Sequence, residues 1–343
     1  MYTTQIKRSI VTDTKFFQKE ETNMQKNPFQ DTSIATEDYE LLQRLRDELS
    51  KKPDISEVPI DLARAARDNN EGNFPTYPIN PAAKDIKFKS NNGGPGVIRV
   101  TYPKSKPVGI YIHIHGGGWT FGKPWHQDWR MKRFAEDVGC ITASIKYRLT
   151  PENPWPNNLD DCEEATTWIM DNANENFGIE NFIIGGDSAG AHLSASTLLR
   201  LKNNYHINNF VGALFTYGVF DLNLTPSARN WGLEKLILST PAMEYFIKNL
   251  KLGDLSRTDP YLSPLYGDLR GLPNAFFQCG TYDPLVDDTS FMASRWQAAG
   301  NESLTTWYPG GIHGFDLFDS KLAKKAIEDS IIFLKQRFTA NDG

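Results

Sequence analysis

The chain of 343 residues is poor in cysteine. It has three, Cys140, Cys162 and Cys279, odd in number and far apart. That excludes a disulfide framework and a thiolate metal cluster, and it makes a reducing cytoplasm the expected setting. Long apolar runs are also missing. No stretch approaches the roughly 18 apolar residues of a membrane helix. The opening "MYTTQIKRSIVTDTKFFQKEE" has no apolar core of signal-peptide length. Basic excess is absent too. Net charge is −5, and Lys and Arg are scattered, so no electrostatic footprint for nucleic acid exists. There is no internal repeat and no low-complexity tract. Hydrophobic residues at 39% and charged residues at 23% suffice for a large core and argue against general disorder. The expected partner is a small molecule, with no nucleic acid and no membrane; a homodimer is left open.

Residues 1 to about 36 are polar and weakly patterned, and read as a loose arm. Leu41, Leu42, Leu45 and Leu49 have helical spacing. A second helix is expected from Pro59, a residue suited to a first turn. Then the pattern changes. "DIKFKS" and "GVIRVTYP" alternate like strands around Asn92-Gly93-Gly94-Pro95. "VGIYIHIH" is apolar enough for the middle of a buried sheet. Further strands are expected in "CITASIKY", "NFIIGG", "FVGALFTYGV", "NAFFQCG" and "LTTWYPG", separated by helical patterns and closed by a helix over "KLAKKAIEDSIIFLKQRF". Strands alternating with helices predict an α/β protein, with a mostly parallel central sheet and helices on both faces. Residues 221–269 break the rhythm and read as an insertion. The expected division is 1–84, arm and helical cap segment, and 85–343, catalytic domain with the insertion completing a cap over the sheet's carboxyl edge.

The stretch "NFIIGGDSAGAHLSASTLL" puts one hydroxyl between glycines where a strand should become a helix. Ligands meet such sheets at the carboxyl ends of strands. A serine on that sharp turn presents its oxygen to the cleft, and the positions two before and two after it, Gly186 and Gly190, must be almost free of side chain. An ordinary glycine turn with a solvent-facing serine would show the same pentapeptide, so Ser188 needs companions. A hydroxyl needs a base, and acyl transfer needs donors for the oxyanion. His115-Gly116-Gly117-Gly118-Trp119 follows an expected strand. Its glycines can turn N–H groups of Gly117 and Gly118 inward, joined by that of Ala189. The loop lacks the lysine and Ser/Thr of a P-loop and the order of a dinucleotide fingerprint. Among six histidines, His313 in "YPGGIHGFDLF" directly follows an expected strand. The acid should lie between serine and histidine in chain order. Asp283, just past a strand end, fits, whereas Asp287 and Asp288 read as first-turn acids of the next helix. His113 and His192 read as packed residues, His115 as a brace for the glycine loop, and His126 and His206 as surface residues.

"HGGGW", "YRLTPENPWP", "GDSAG", "GTYDPLVDD" and "HGF", in this order, resemble the hormone-sensitive-lipase-like carboxylesterases of the α/β-hydrolase superfamily, from about residue 85 to the C-terminus. The resemblance implies the α/β-hydrolase fold, Ser188 as nucleophile, His313 as general base, Asp283 as orienting acid, and Gly117, Gly118 and Ala189 as oxyanion donors. It also implies supporting roles for Asp187, for Tyr147 to Glu152 and for Asp160-Asp161. Thr150 and Trp155 depart from the family pattern and touch loop packing. Trp119, Phe121, Tyr217 and Phe220 fall near expected strand ends and would make a narrow pocket. No positive charge is evident nearby. Hydrolysis of short- to medium-chain esters through an acyl-enzyme is therefore expected, without metal or organic cofactor. An arylformamidase or lactonase with the same residues is the alternative. A ligand-binding receptor on the same scaffold is a remoter one, because such proteins tend to lose the serine or the histidine.

Overall fold

The computed structural model describes residues 27–340 except 70 and 76. The expected loose arm therefore lies largely outside the described residues. The described part of it is docked: Phe29 packs on Trp307 with ring centroids 5.1 Å apart, and Tyr282 donates to Asp31 at 2.7 Å.

Eight strands form one sheet: β1 (Lys84–Ser90), β2 (Gly94–Thr101), β3 (Ile110–Ile114), β4 (Ile141–Lys146), β5 (Phe182–Asp187), β6 (Phe210–Thr216), β7 (Ala275–Tyr282) and β8 (Ser303–Ile312). Their order is β1-β2-β4-β3-β5-β6-β7-β8. β1 and β2 form an antiparallel hairpin, and β2 also runs antiparallel to β4; the other neighbours are parallel. Alternation explains how each strand serves two cores. Ile110, Ile112 and Ile114 face one layer with Phe182 and Ile184, while Tyr111 and Ile183 face the other.

Two helical layers cover these faces. The first contains α4 (Asn157–Phe177), α5 (Ala189–Tyr205) and α8 (Val286–Ala298), which bury Leu159, Leu193, Leu198 and Trp296. The second contains α3 (Asp128–Val138) and α9 (Lys321–Thr339), which bury Phe134, Ile327, Leu334 and Phe338. Each fully buried aliphatic side chain contributes about 1.5–3 kcal/mol, so this sandwich makes a rigid base for whatever its strand ends carry.

After β3 the chain crosses to β4 on one side and then to β5 on the other. The carboxyl ends of β3 and β5 are thus where the winding reverses, the place where an open α/β sheet leaves a crevice. Two segments approach it. One contains α2 (Ile60–Asp68); the other contains α6 (Pro226–Asn230) and α7 (Thr240–Asn249). Asp54 and Lys52 tie the first to Ser239 and Lys235 of the second. The preceding helix α1 (Thr36–Ser50) packs instead at the β8 side, with Leu42, Leu45 and Leu49 against Tyr308, Ile312 and Leu236.

Candidate active site

Ser188 stands between β5 and α5 with φ 55° and ψ −121°, a conformation a side-chain-bearing residue holds only under constraint. The constraint is local. A Cβ on either Gly186 or Gly190 would overlap the carbonyl oxygen of Ile114, so the turn lies against β3 more closely than any side chain permits. Ser188 N also donates to Thr216 O at 2.9 Å, which ties the turn to β6.

His313 occupies the turn after β8, and Asp283 the turn after β7. The His313 Nε2 atom is 2.9 Å from Ser188 Oγ, and Nδ1 is 2.9 Å from Asp283 Oδ2. Asp283 is fully buried, and its Oδ1 accepts from Leu285 N at 2.9 Å. An ionised carboxylate only accepts, so Nδ1 carries the proton and Nε2 is left to take one from the serine. The Tyr217 ring stands edge-on to the imidazole with centroids 4.8 Å apart. Its hydroxyl donates to Asp316 at 2.6 Å, and Arg130 donates to the same carboxylate at 2.5 Å.

The glycine loop turns at Gly117 (φ 121°) and Gly118 (φ 57°). The N–H groups of Gly117, Gly118 and Ala189 donate to no group among the described residues. His115 is buried under the loop, stacks on Tyr147 at 4.2 Å, and has Nδ1 2.9 Å from Gly116 O. Burial pushes its pKa down to about 3, so it stays neutral. Asp187 accepts from Gly116 N at 3.2 Å. Burial opposes its ionisation, but the His113 hydrogen bond and the Arg130 charge outweigh it and hold Asp187 at about 2. Thr150 donates to Trp119 O at 3.3 Å and contacts Thr120 Oγ1 at 3.0 Å. The departure at Thr150 therefore adds hydrogen bonds to the loop. Arg148 holds Asp161 at 2.8 Å, and Arg200 holds Asp160 at 2.6 Å.

Serine, imidazole and carboxylate in line, beside three free amides, is the arrangement of nucleophilic acyl transfer. Comparison with known proteins agrees. A family model described as the alpha/beta hydrolase fold matches residues 111–317.

The chain belongs to the α/β-hydrolase fold family.

An acetyl esterase of Salmonella choleraesuis is 26% identical over 70% of this hydrolase and 76% of its own length. An esterase of Pyrobaculum calidifontis superposes with a TM-score of 0.76 at 26% identity, over 85% of this chain and 97% of that one. A hormone-sensitive lipase from a metagenome library gives a TM-score of 0.76 at 25% identity, over 88% and 98%. The resemblance to hormone-sensitive-lipase-like esterases read from the motifs is borne out.

Above the three residues the hydrolase has a cavity of about 300 Å³. Trp119, Phe121 and Tyr217 line it, as do Phe74 and Phe246 from the two overlying segments. Phe220 does not. The chain leaves β6 with φ 37° at Tyr217, which turns that ring into the cavity, and Phe220 then packs back against Phe215 and Phe277 in the core. Trp119 is fixed from behind: its Nε1 donates to His192 at 3.1 Å, and His192 Nε2 is 2.9 Å from Leu262 O.

Besides Phe220, two expectations are corrected. His126 is not a surface residue: it is partly buried, with Nε2 3.1 Å from Asp68, and burial pushes its pKa down to about 4. Asp288 and Asp287 are first-turn acids of α8, as expected, but Asp288 does more than complement the helix. It is fully buried and accepts from Phe220 N at 2.6 Å, Asp221 N at 3.0 Å and Thr225 Oγ1 at 2.5 Å, pinning the start of the insertion. Burial pushes it up to about 7. Asp287 pins the same segment through Ser227 N at 2.8 Å. Positive charge, not expected at the site, is present: Arg67, in the last turn of α2, lines the cavity. Its place depends on how α2 crosses the sheet edge, which neither spacing nor composition reveals. Among the described residues no cluster of three His, Cys, Asp or Glu could hold a metal, and no helix is long and apolar enough to cross a membrane.

Proposed function

We propose that this hydrolase is a serine carboxylesterase acting on small esters with short to medium acyl chains. The observation that carries the proposal is the continuous hydrogen-bond chain from Ser188 through His313 to Asp283 at the floor of the cavity. In the first half-reaction His313 Nε2 takes the Ser188 proton as Oγ attacks the ester carbonyl. The carbonyl oxygen becomes an oxyanion facing the N–H groups of Gly117, Gly118 and Ala189. His313 then gives its proton to the leaving alkoxide, which departs as alcohol. Water attacks the acyl-enzyme by the same route, the acid leaves and Ser188 recovers its proton. Asp283 holds the tautomer and balances the imidazolium.

Size supports the acyl range. A volume near 300 Å³ lies at the small end of ligand pockets. The Phe246 ring sits where a Cβ on Gly118 would fall, which narrows the space beside the amides. The Salmonella relative is named for the two-carbon acyl group. We read residues 52–74 and 217–247 as the cap that encloses the substrate. Three buried free thiols, Cys140, Cys162 and Cys279, favour a reducing cytoplasm.

A panel of p-nitrophenyl esters of rising acyl length, with an arylformamide and a lactone alongside, tests this. kcat/KM should peak between two and about six acyl carbons, with formamide and lactone well below. Preference for emulsified long chains, or for either comparator, would overturn it.

A further inference from the structure

Most arginines around the cavity have partners. Arg64 pairs with Glu152 at 2.8 Å and donates to Thr120 O and Thr150 O. Arg130 is held by Asp316, and Arg46 by Glu234. Arg67 is the exception. It lines the cavity and lies over the Phe74 ring at 5.5 Å, yet it makes no hydrogen bond or ion pair with any described residue. Asp187 is its strongest opposing charge, but both Asp187 oxygens are engaged, Oδ1 by His113 and Oδ2 by Gly116 N. Asp187 lends Arg67 a field, but no hydrogen bond or ion pair joins the two. Glu71 also lines the cavity, but it is exposed at the mouth, where water screens it.

A guanidinium has five N–H donors in a planar fork and keeps its charge. Half-buried in a mainly apolar wall and bonded to no acceptor among the described residues, it is left to water, and an acceptor brought by the ligand can take the water's place. A carboxylate matches the fork with two parallel hydrogen bonds, strengthened by the low dielectric of the cavity. The Phe74 ring, 5.5 Å from the guanidinium carbon, adds a cation–π contact on one side of the fork.

We propose that Arg67 selects esters that carry a carboxylate away from the scissile bond, so that the substrate class is the half-esters of dicarboxylic acids or the esters of hydroxy acids. This rests on the esterase reading above and narrows it. Arg67 would grip the remote carboxylate while Ser188 faces the ester carbonyl.

Two matched pairs test the proposal and separate the sources of the carboxylate. Mono-p-nitrophenyl glutarate against p-nitrophenyl valerate puts the charge on the acyl side. 4-Acetoxybenzoate against its methyl ester puts it on the alcohol side. In at least one pair, Arg67→Gln should lower the charged-to-neutral ratio of kcat/KM by about tenfold or more, and Arg67→Lys should lower it less. Adding salt should reduce that ratio in the wild type and hardly change it in Arg67→Gln. A ratio unmoved by Arg67→Gln in both pairs overturns the proposal. Binding of monomethyl glutarate and of 4-acetoxybenzoate to Ser188→Ala, measured by calorimetry, reads the same recognition without turnover. At least one should bind, and that binding should disappear in the Ser188→Ala/Arg67→Gln double variant. Arg67-dependent binding without wild-type turnover would sink the esterase reading and leave the recognition standing; binding of neither ligand, or binding indifferent to Arg67, would sink the recognition.

Discussion

Asp283 and Asp287 lie one turn apart, yet their surroundings give them different work. Asp283 is fully buried and faces the His313 ring; Asp287 reaches back to the amide of Ser227. Asp283→Asn replaces an accept-only carboxylate by an amide whose N–H₂ can donate to Nδ1 and impose the wrong tautomer, and it removes the charge that balances the imidazolium, so kcat/KM on a short ester should fall roughly 10³–10⁴-fold. Asp287→Asn keeps an oxygen acceptor for Ser227 and should stay within about threefold. Steady-state kinetics of the two variants checks this, and the opposite ranking would reassign the acid. At this scale the sequence was most readable where chemistry dictates residue type and order, as for Ser188, Asp283 and His313. It was least readable where packing decides. Phe220 looks like a cavity residue beside Tyr217 until the left-handed turn at Tyr217 sends the two rings to different places. Asp288 is the helix-start acid it looks like, but its burial under the insertion could not be read from its position in the helix. His126 looks exposed until Asp68 and the α2 segment cover it.

At the scale of elements, the strand–turn–helix around Ser188 depends on backbone touching backbone. Gly190 meets the Ile114 carbonyl, whereas a Cβ on Gly212 would meet only the flexible Arg337 side chain at 3.2 Å and Phe333 at 3.3 Å. Gly190→Ala should therefore destabilise by about 3 kcal/mol or more, or move Ser188 off His313, while Gly212→Ala should cost about 1 kcal/mol or less. Urea unfolding of both variants reads the difference, and equal tolerance would show that the turn has room for a side chain at Gly190. Most elements followed from period and punctuation: apolar runs of strand length became β3 and β5, and helical leucine spacing became α1. The antiparallel pairing of β2 with β4 did not follow, because pairing partners are set by the whole sheet rather than by any one strand's pattern. The docking of α1 against β8, away from the cavity, was hidden for the same reason.

For the whole molecule, the site is a meeting of distant segments. The reversal of winding between β3 and β5 opens a crevice. The turns after β3, β5, β7 and β8 bring the glycine loop, Ser188, Asp283 and His313 to it. Segments near residues 52–74 and 217–247 roof it. Arg67 enters only through that roof, which is why no local pattern announced a positive charge. The central claim is that Ser188 is the nucleophile this assembly activates. An activated serine is phosphonylated by a fluorophosphonate ester, so intact-protein and peptide mass spectrometry test the claim directly. The wild type should gain one adduct, on the peptide containing Ser188, with complete loss of ester hydrolysis; Ser188→Ala should fold, gain none and be inactive by roughly 10⁴-fold or more. An adduct on another residue, or hydrolysis surviving in Ser188→Ala within about tenfold of the wild type, would contradict the account.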